Sequence, residues 1–426
     1  MTAGVNGGRG RIALALDSVK ASFGFPSGVA MLAGVIVGLT LPELDDAVGI
    51  TVPVLTFDSQ SAARGVLETI ATTTTAVAGL SFSVTVVAIT LASSQLSPRV
   101  LRSFRSDRLS QTTLALFLGT FVYSLTLLVR LGVSGQDAEP PNLSMTLAVL
   151  LAFAAFGTFA GFIAHILRML QPTSVISSIH DDAIEAAGQL FPGGRGEPDD
   201  ERRSSLDAAA AMDAVEPEDV YADSSGYLAV VDTDSLIDAA AGHGALIRQC
   251  VAIGDYVVPG QLLAELFVAR GDAQEDEEGP GELAAAVRSS FVLGRQRTLV
   301  QDIGFPVRQL ADIALKGLSP GINDPTTAEN AIDAMGSFLV EFTACDRPSP
   351  VRVDEAGEAR LVARAPDLDD LLRLGFEQVR IAAADHPTVS RRMLELLDAI
   401  DGAAARAGVE SSETSRQRRL IEPNAG

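Results

Sequence analysis

The sequence has no tryptophan, only two cysteines and only four histidines in 426 residues. Cys250 and Cys345 are too few for a disulfide framework or a thiolate metal site. A Walker loop, a nucleophile elbow and a cluster of metal-binding side chains are also lacking. We therefore predict no catalytic residue, no metal and no cofactor, and we do not expect the protein to be an enzyme.

Positive charge is scarce in the later part of the chain. Up to Leu170 there are ten basic and nine acidic residues, whereas the remainder has 22 basic and 45 acidic residues. An acidic surface of this size repels phosphate backbones, so we predict no nucleic-acid partner. It also favours solubility in water. The two parts are therefore expected to lie in different solvents.

Four long apolar runs occur before Gln171, and no comparable run follows it. A helix needs roughly 20 largely apolar residues to cross the hydrocarbon core of a bilayer. The runs cover residues 25–41, 70–96, 113–131 and 143–170. They predict an α-helical membrane domain of four transmembrane helices over residues 25–170, with the lipid bilayer as its surroundings.

The short connections between these runs differ in charge, and arginine and lysine are retained on the cytoplasmic side of a membrane. Basic residues precede the first run and fill the connection between the second and third: Arg9, Arg11, Lys20, Arg99, Arg102, Arg105 and Arg108. The first and third connections are mainly acidic. We therefore predict a multi-pass protein of the cell (plasma or inner) membrane with both termini in the cytoplasm.

The second apolar run carries a narrow face of small and hydroxyl residues. Spacings of seven, four, seven and four positions keep them on one side of a helix: Thr72, Gly79, Ser83, Thr90 and Ser94. They are candidate pore-lining residues, because hydroxyls replace part of the water shell of an ion or solute. In the alternative, the hydroxyls bond backbone carbonyls or a neighbouring helix.

Arg99, Arg102 and Arg105 follow this run directly. In a symmetric oligomer they would form a ring at a pore mouth and attract anions. In the alternative, they only fix the topology of the chain. His165, near the end of the fourth run, is either a pH-sensing group or an interfacial side chain.

Two glycine pairs predict contacts between the membrane helices. In lipid, helices associate where small residues let their backbones approach closely. Gly34 with Gly38 mark such a face on the first run, and Gly157 with Gly161 mark one on the fourth.

Beyond the membrane domain the pattern predicts an α+β cytoplasmic domain. We divide the non-membrane parts into a cytoplasmic N-terminal segment (1–24), a juxtamembrane helix and linker (171–212), a small β module (213–270), a helical bundle (271–410) and a disordered tail (411–426). The segment from Gly254 to Leu263 resembles the hammerhead turn of barrel-sandwich hybrid and biotinyl-lipoyl-like domains. No lysine stands where those domains carry a swinging cofactor, so the resemblance implies a compact barrel-sandwich-like module and not a carrier.

A dense polar segment follows the β module. Arg297, Asp302, Asn323 and Asp324 would provide an anion clamp or a carboxylate for a cation if they formed a cytoplasmic ligand site. In the structural alternative, Arg297 pairs with Asp302, and Asp324 before Pro325 caps the start of a helix.

Several short motifs resemble those of the DUF2254 family of predicted bacterial membrane proteins, over nearly the whole chain. They are Gln95-Leu96-Ser97-Pro98-Arg99, Ser225-Gly226-Tyr227, Arg297-Thr298 with Gln301-Asp302, and the segment from Leu318 to Pro325 with Thr327-Ala328. The resemblance implies a multi-pass membrane protein with a cytoplasmic C-terminal region. It brings no activity and no catalytic residues.

Two functions follow as hypotheses. The first is a homo-oligomeric channel for ions or small solutes, with the second membrane helix facing the axis and the cytoplasmic domain acting as a gate. The second is a non-conducting sensor or scaffold, whose acidic cytoplasmic domain binds a protein or a small ligand.

Overall fold

The computed structural model describes residues 24–48, 59–95, 107–133, 140–190, 208–210, 212–213, 215–268, 279–297, 301–345 and 349–425. The chain divides into two compact units, of which the N-terminal unit is Ala15–Val175 and the C-terminal unit contains Ile176–Gly426. The boundary falls within a helix, Pro172–Leu190.

Four helices of the N-terminal unit are long and apolar enough to cross a membrane. They are α1 (Gly24–Val48), α2 (Gln60–Gln95), α3 (Arg108–Val133) and α4 (Asn142–Met169). The four predicted helices are therefore confirmed. Helix α2 begins at Gln60 and not at residue 70. Its first turns are partly polar, but Ala63 and Leu67 within them are buried against the other helices, and this packing extends the helix.

Helix α3 lies at the centre of the unit and packs against α1, α2 and α4. Three apolar layers join the helices. The Leu127 layer includes Leu67, Ile70, Leu127 and Met145; the Phe117 layer comprises Ala78, Phe117 and Ala155; the Phe162 layer comprises Ala88, Phe162 and Ile166. We call the two ends of the bundle the Asp45 end and the Asp107 end.

Glycines let α1 and α3 approach closely. A Cβ atom added to Gly34 would lie 2.7 Å from the carbonyl oxygen of Gly119, and one added to Gly38 would lie 2.9 Å from Cβ of Thr126. The predicted contact of the first glycine pair is confirmed. The second pair, Gly157 and Gly161, has no atom within 4 Å of the added Cβ among the described residues, so this face does not pack within the described bundle.

The C-terminal unit mixes helices and strands. Its elements are α5 (Pro172–Leu190), β1 (Glu218–Tyr221), β2 (Gly226–Val231), α6 (Thr233–Gly242), β3 (Ala245–Gln249), β4 (Tyr256–Val257), β5 (Leu262–Val268), α7 (Gly279–Ser290), β6 (Phe291–Gly294), α8 (Gly304–Gly317), α9 (Pro325–Ala344), β7 (Val351–Val353), β8 (Ala359–Val362), α10 (Leu368–Ala382), α11 (Pro387–Ala407) and α12 (Ser412–Ile421). Short 3-10 turns follow α10 and α12.

Two small sheets form the β part of this unit. The five-stranded sheet has the order β1-β5-β3-β8-β7, in which only the β3–β8 pair is parallel, and the three-stranded sheet has the order β4-β2-β6. The two sheets share one hydrophobic core, whose buried residues include Leu228, Ile247 and Leu263. Strands β6, β7 and β8 come from the region for which we expected helices alone, so the sheets extend beyond the predicted β module.

The remaining helices pack through close glycine contacts. A Cβ atom on Gly336 of α9 would lie 2.8 Å from Leu396 of α11, and one on Gly375 of α10 would lie 3.0 Å from Val307 of α8. Helix α11 ends at Gly408, whose φ of 67° is in the left-handed region that favours glycine after a helix.

The expected disordered tail over residues 411–426 is wrong, because α12 occupies Ser412–Ile421. Ser411 caps this helix by accepting a hydrogen bond from the backbone N–H of Thr414. Its buried residues include Glu413 and Gln417, which are polar. A hydropathy pattern therefore gave no sign of a buried helix face.

Candidate functional site

The predicted pore-lining residues of α2 lie on the face opposite to the one that packs in the bundle. Thr72, Gly79, Ser83 and Thr90 are exposed. The buried residues of α2 are about half a turn away on the helix, and they include Ala63, Ile70, Thr74, Ala78, Ser81 and Ala88. Ser94 belongs to α2, but its side chain lies outside the described residues. The stripe therefore does not face the interior of this bundle.

Several hydroxyls of α2 donate to the backbone of their own helix. Thr90 Oγ1 donates to the carbonyl of Val86 over 2.8 Å, and Thr73 Oγ1 donates to that of Thr69 over 2.7 Å. Self-bonding of this kind is the alternative that the sequence left open, and it holds for Thr90. The oxygen lone pairs stay available, so such a hydroxyl presents an acceptor to its surroundings.

The predicted pore-mouth residues Arg99, Arg102 and Arg105 lie outside the described residues. At the Asp107 end the structure instead shows a contact between α3 and α4. His165 Nε2 lies 2.8 Å from Asp107 Oδ1, and the other oxygen of this carboxylate accepts hydrogen bonds from the backbone N–H and the hydroxyl of Ser110. His165 is therefore anchored to the start of α3.

At the Asp45 end a carboxylate from α1 caps α4. Asp45 Oδ2 accepts hydrogen bonds from the backbone N–H groups of Leu143 (2.9 Å) and Ser144 (3.3 Å). Pro141, at the N-cap position of α4, provides no side-chain cap. The hydroxyl of Tyr123 donates to the carbonyl of Ser144 over 2.9 Å. Sequence reasoning missed this cap, because nothing local to α4 indicates that an acid from another helix supplies it.

Basic and amide side chains satisfy helix carbonyls at the same end. Arg64 Nη2 and Gln60 Nε2, both from α2, donate to the carbonyl of Leu131 near the end of α3, over 2.9 and 3.0 Å. Arg130 Nη1 donates to the carbonyl of Leu39 over 2.7 Å. The last carbonyls of a helix lack partners within it, so the two contacts to Leu131 fix the end of α3 to the start of α2, whereas Leu39 lies within α1.

Arg297 and Asp302, the first predicted pair of the C-terminal unit, form a two-point ion pair. Arg297 Nε and Nη2 donate to Asp302 Oδ2 and Oδ1 over 2.6 and 2.8 Å. The Asp302 side chain is 3% exposed. Burial raises the pKa of Asp302 above its usual value, although Arg297 and the backbone N–H groups of Gly304 and Phe305 act in the opposite direction.

The ion pair lies between the turn that precedes β4 and the start of α8. A Cβ atom on Gly254, in the hammerhead-like turn, would lie 2.6 Å from Asp302 Oδ2, and the φ of Gly254 is 91°. Next to the pair, Gln301 Oε1 accepts a hydrogen bond of 2.9 Å from the backbone N–H of Val231 in β2. The geometry therefore matches the structural alternative, in which Arg297 and Asp302 position the loop.

Asn323 and Asp324, the other predicted residues, form the turn before α9. The backbone of Asn323 has φ 48°, and its N–H donates to the carbonyl of Ser319 over 2.9 Å. Asp324 caps α9 by accepting hydrogen bonds from the N–H and the hydroxyl of Thr327 at 3.0 and 2.6 Å. These hydrogen bonds hold the pKa of Asp324 below its usual value. The structure thus brings Arg297 and Asp302 together and gives Asp324 the predicted capping role.

Within the described residues, no group of three or more histidine, cysteine, aspartate or glutamate side chains is arranged to hold a metal ion. A cavity of about 270 Å³ opens between α8 and α10 in the C-terminal unit. Its lining includes Arg308, Arg373, Glu377 and Leu374. Arg308 Nε lies 3.1 Å from Asp312, and Arg373 Nη1 lies 3.4 Å from Asp370, so acids compensate both cations.

Four long apolar helices, tied at their ends by polar contacts and followed by a mixed helical and β region, define a multi-pass helical membrane protein. The chain belongs to the DUF2254 family of predicted membrane proteins, whose model matches residues 20–399. The resemblance noted in the sequence is thereby confirmed.

Curated relatives occur in mycobacteria. The chain is 33% identical over 341 residues to an uncharacterized protein of Mycobacterium bovis, and equally to one of Mycobacterium tuberculosis strain H37Rv. The matched segment covers 79% of this chain and 63% of each relative, so the chain spans less than two thirds of their length. No solved structure matches the chain.

Proposed function

We propose that several copies of this protein associate through the exposed stripe of α2 and form a passive channel for a small polar solute. The observation that carries this proposal is the outward exposure of Thr72, Gly79, Ser83 and Thr90 on a helix of membrane-spanning length. Hydroxyls in contact with acyl chains gain nothing, whereas a second copy or a hydrated path gives them hydrogen-bond partners. Cyclic symmetry would bring the same stripe of each copy to one axis.

The chemistry of the stripe indicates which kind of solute would pass through the proposed channel. Thr90 uses its hydrogen within its own helix, so it presents an acceptor oxygen to the path, which suits a cation or a solute that donates hydrogen bonds. Arg99, Arg102 and Arg105 follow α2 in the sequence and would repel cations at a pore mouth. The two features together favour a small uncharged solute over either kind of ion.

We also place both termini in the cytoplasm of a cell membrane, because the basic residues concentrate before α1 and between α2 and α3. Cysteine labelling of intact cells tests this orientation. A membrane-impermeant maleimide is expected to label Asp137→Cys, in the connection between α3 and α4, but not Cys345. Labelling of Cys345 alone would reverse the orientation.

Flux through reconstituted liposomes tests the channel. After osmotic shrinking in glycerol or urea, reswelling is expected to be faster with the protein, and Ser83→Leu or Thr90→Leu is expected to abolish the gain. Val29→Leu in α1 is the control, because Val29 is 52% exposed but lies on another helix. Neutral-solute and ion flux equal to that of empty liposomes would end the proposal.

Cross-linking tests the association separately. Ser83→Cys, in a chain with Cys250→Ser and Cys345→Ser, is expected to form disulfide-linked dimers in native membranes, whereas Val29→Cys in the same background is not. Equal cross-linking of the two variants would contradict an axis lined by α2.

A non-conducting sensor is the second candidate, and the cavity between α8 and α10 favours it, because charged groups of both signs line a space of about 270 Å³. A ligand that binds the folded state raises its melting temperature. A thermal-shift screen of the full chain in detergent is expected to show stabilisation that Arg373→Ala removes. If a ligand stabilises the protein, and the reconstituted protein shows no measurable flux, the sensor is supported over the channel.

A further inference from the structure

Half of the buried seam of α3 is polar. The seam residues recur at spacings of four and three, which places them on one side of a helix. They are Thr113, Phe117, Thr120, Ser124, Leu127 and Leu131, and each is at most 4% exposed. Unlike the exposed stripe of α2, this seam lies inside the bundle of a single copy.

The hydroxyls of this seam lack partners among the described residues. No hydrogen bond is made by Oγ1 of Thr113, Oγ1 of Thr120 or Oγ of Ser124. A serine or threonine in an apolar helix commonly donates to a carbonyl three or four residues earlier. Thr74 of α2, which is equally buried, does so and reaches the carbonyl of Ile70 over 2.6 Å. The seam of α3 therefore departs from the pattern of α2.

Two of the unpaired hydroxyls and Thr74 share one level of the bundle. Thr120 and Ser124 fall between Phe117 and Leu127, which belong to two neighbouring apolar layers. Thr74 falls between the α2 residues of the same two layers, Ala78 and Ile70. We call Thr74, Thr120 and Ser124 the hydroxyl layer. Thr120 is also close to the midpoint of α3 (Arg108–Val133).

We propose that the hydroxyl layer binds water inside each copy of the protein, near the middle of the membrane. A buried water typically makes about three hydrogen bonds to polar groups that would otherwise lack partners. Thr120 and Ser124 each offer a donor and acceptors, and Thr74 offers an acceptor. None of the three carries a charge, so the site suits a neutral molecule and not an ion.

The neighbouring layers enclose this site. Phe117 is fully buried on the side toward the Asp107 end, and its ring makes edge contacts with Phe156 and Phe159. Leu127 is 1% exposed on the side toward the Asp45 end. The water is therefore held between two apolar layers, and this inference does not depend on the path proposed between copies.

Hydroxyl-radical footprinting with short X-ray pulses tests the proposal on the full chain in detergent. Radicals formed from bound water oxidise adjacent side chains, so Phe117 is expected to be oxidised several-fold faster than Phe162. Phe162 is the control, because it is 1% exposed and belongs to a different apolar layer from Phe117, which flanks the hydroxyl layer. Equally slow oxidation of the two rings would overturn the proposal.

A pair of near-isosteric variants provides the second measurement. If water fills the layer, Thr120→Val with Ser124→Ala removes its partners, so the oxidation of Phe117 falls to the rate of Phe162 and the melting temperature falls. If the layer is dry, the same change removes two unsatisfied hydroxyls, and the melting temperature rises, which would contradict the proposal. Ser81→Ala is the control, because Ser81 is buried and already donates to the carbonyl of Val77 over 2.8 Å. If the double variant fails to fold, the comparison of Phe117 with Phe162 in the unaltered chain still decides.

Discussion

The two units satisfy their buried polar groups in different ways. In the N-terminal unit, cross-helix polar contacts gather at the bundle ends, as where Asp45 caps α4 and Arg64 reaches α3. In the C-terminal unit, polar pairs join separate elements within the interior, as Arg297 and Asp302 do. In lipid a helix satisfies its own backbone except at its ends. The N-terminal unit should therefore be sensitive to side-chain size, and the C-terminal unit to loss of charge.

The largest effect is expected where a buried charge loses its partner. Arg297→Ala leaves the carboxylate of Asp302, whose side chain is 3% exposed, without its cation. Breaking a buried pair in this way costs about 3–5 kcal/mol of unfolding free energy. Urea-dependent pulse proteolysis of the full chain in mild detergent measures this loss.

Arg295→Ala is the control for this variant, because Arg295 is exposed in the same segment. Surface substitutions usually change stability by less than about 0.5 kcal/mol. Equal losses for Arg295→Ala and Arg297→Ala would show that the ion pair does not hold the unit together.

A smaller effect is expected from added size in the N-terminal unit. In Gly34→Ala the new Cβ would lie 2.7 Å from the carbonyl oxygen of Gly119 and would force α1 away from α3. Overpacking of this kind costs about 1–3 kcal/mol. Thermal unfolding in detergent is the measurement.

Gly157→Ala is the matched control, because its added Cβ would meet no described atom within 4 Å. If Gly157→Ala is also destabilising in native membranes but neutral in dilute detergent, another copy of the chain covers this face. A neutral Gly34→Ala would contradict the close contact of α1 with α3.

The sequence was informative where one property decides a structure. Long apolar runs predicted α1 to α4, since few other solutions satisfy the backbone in lipid. Gly34 predicted a close contact, and Asp324 before Pro325 predicted a helix start, because both signals are local. The ion pair of Arg297 with Asp302 was foreseen as the structural alternative, since the two residues are only five positions apart.

Other features depend on parts of the chain that are distant in sequence. Asp45 and Ser144 are 99 residues apart, and no local pattern pairs them. Strand β8 aligns with β3 across more than a hundred residues, at Ile247 and Leu361, and short strands give weak signals. The inward face of α3 was also missed, because spacing alone cannot tell which polar face of a helix bundle is buried.

A helix cap at the surface should matter less than a buried charge. Asp324→Ala removes the acceptor for the N–H of Thr327, which is 3.0 Å from Asp324 Oδ1. Loss of an N-cap typically costs about 1 kcal/mol. Thr326→Ala is the control, because Thr326 is two residues further along the chain and exposed, and this change is expected to be nearly neutral. Hydrogen exchange in the first turn of α9 reports the change, and equal exchange in the two variants would contradict the capping role.

The smallest effect concerns α12, which polar contacts hold against α10. The carboxylate of Asp369 accepts hydrogen bonds from the hydroxyls of Ser411 and Ser412, both at 2.6 Å, and from the N–H groups of Ser412 and Glu413. Burial acts to raise the pKa of Asp369, but these hydrogen bonds outweigh it and hold the pKa below its usual value. Because the folded-state pKa is the lower one, the stabilisation is complete above the unfolded value of about 3.9 and is lost as the pH falls below it.

Hydrogen exchange of residues 412–421, corrected for the intrinsic rate at each pH, is therefore expected to lose protection below about pH 4, at the unfolded pKa of an aspartate. Helix α11 provides the internal reference. Asp369→Asn cannot titrate, so its exchange in α12 should already be faster at pH 7 and should change less between pH 5 and 3. The ion pairs that Arg416 and Arg418 make are unchanged by this substitution, so they are common to both proteins. Only the difference between the two plots of exchange rate against pH reports Asp369. Identical plots for the unaltered chain and Asp369→Asn would mean that the ion pairs of α12, rather than its cap, hold α12 in place.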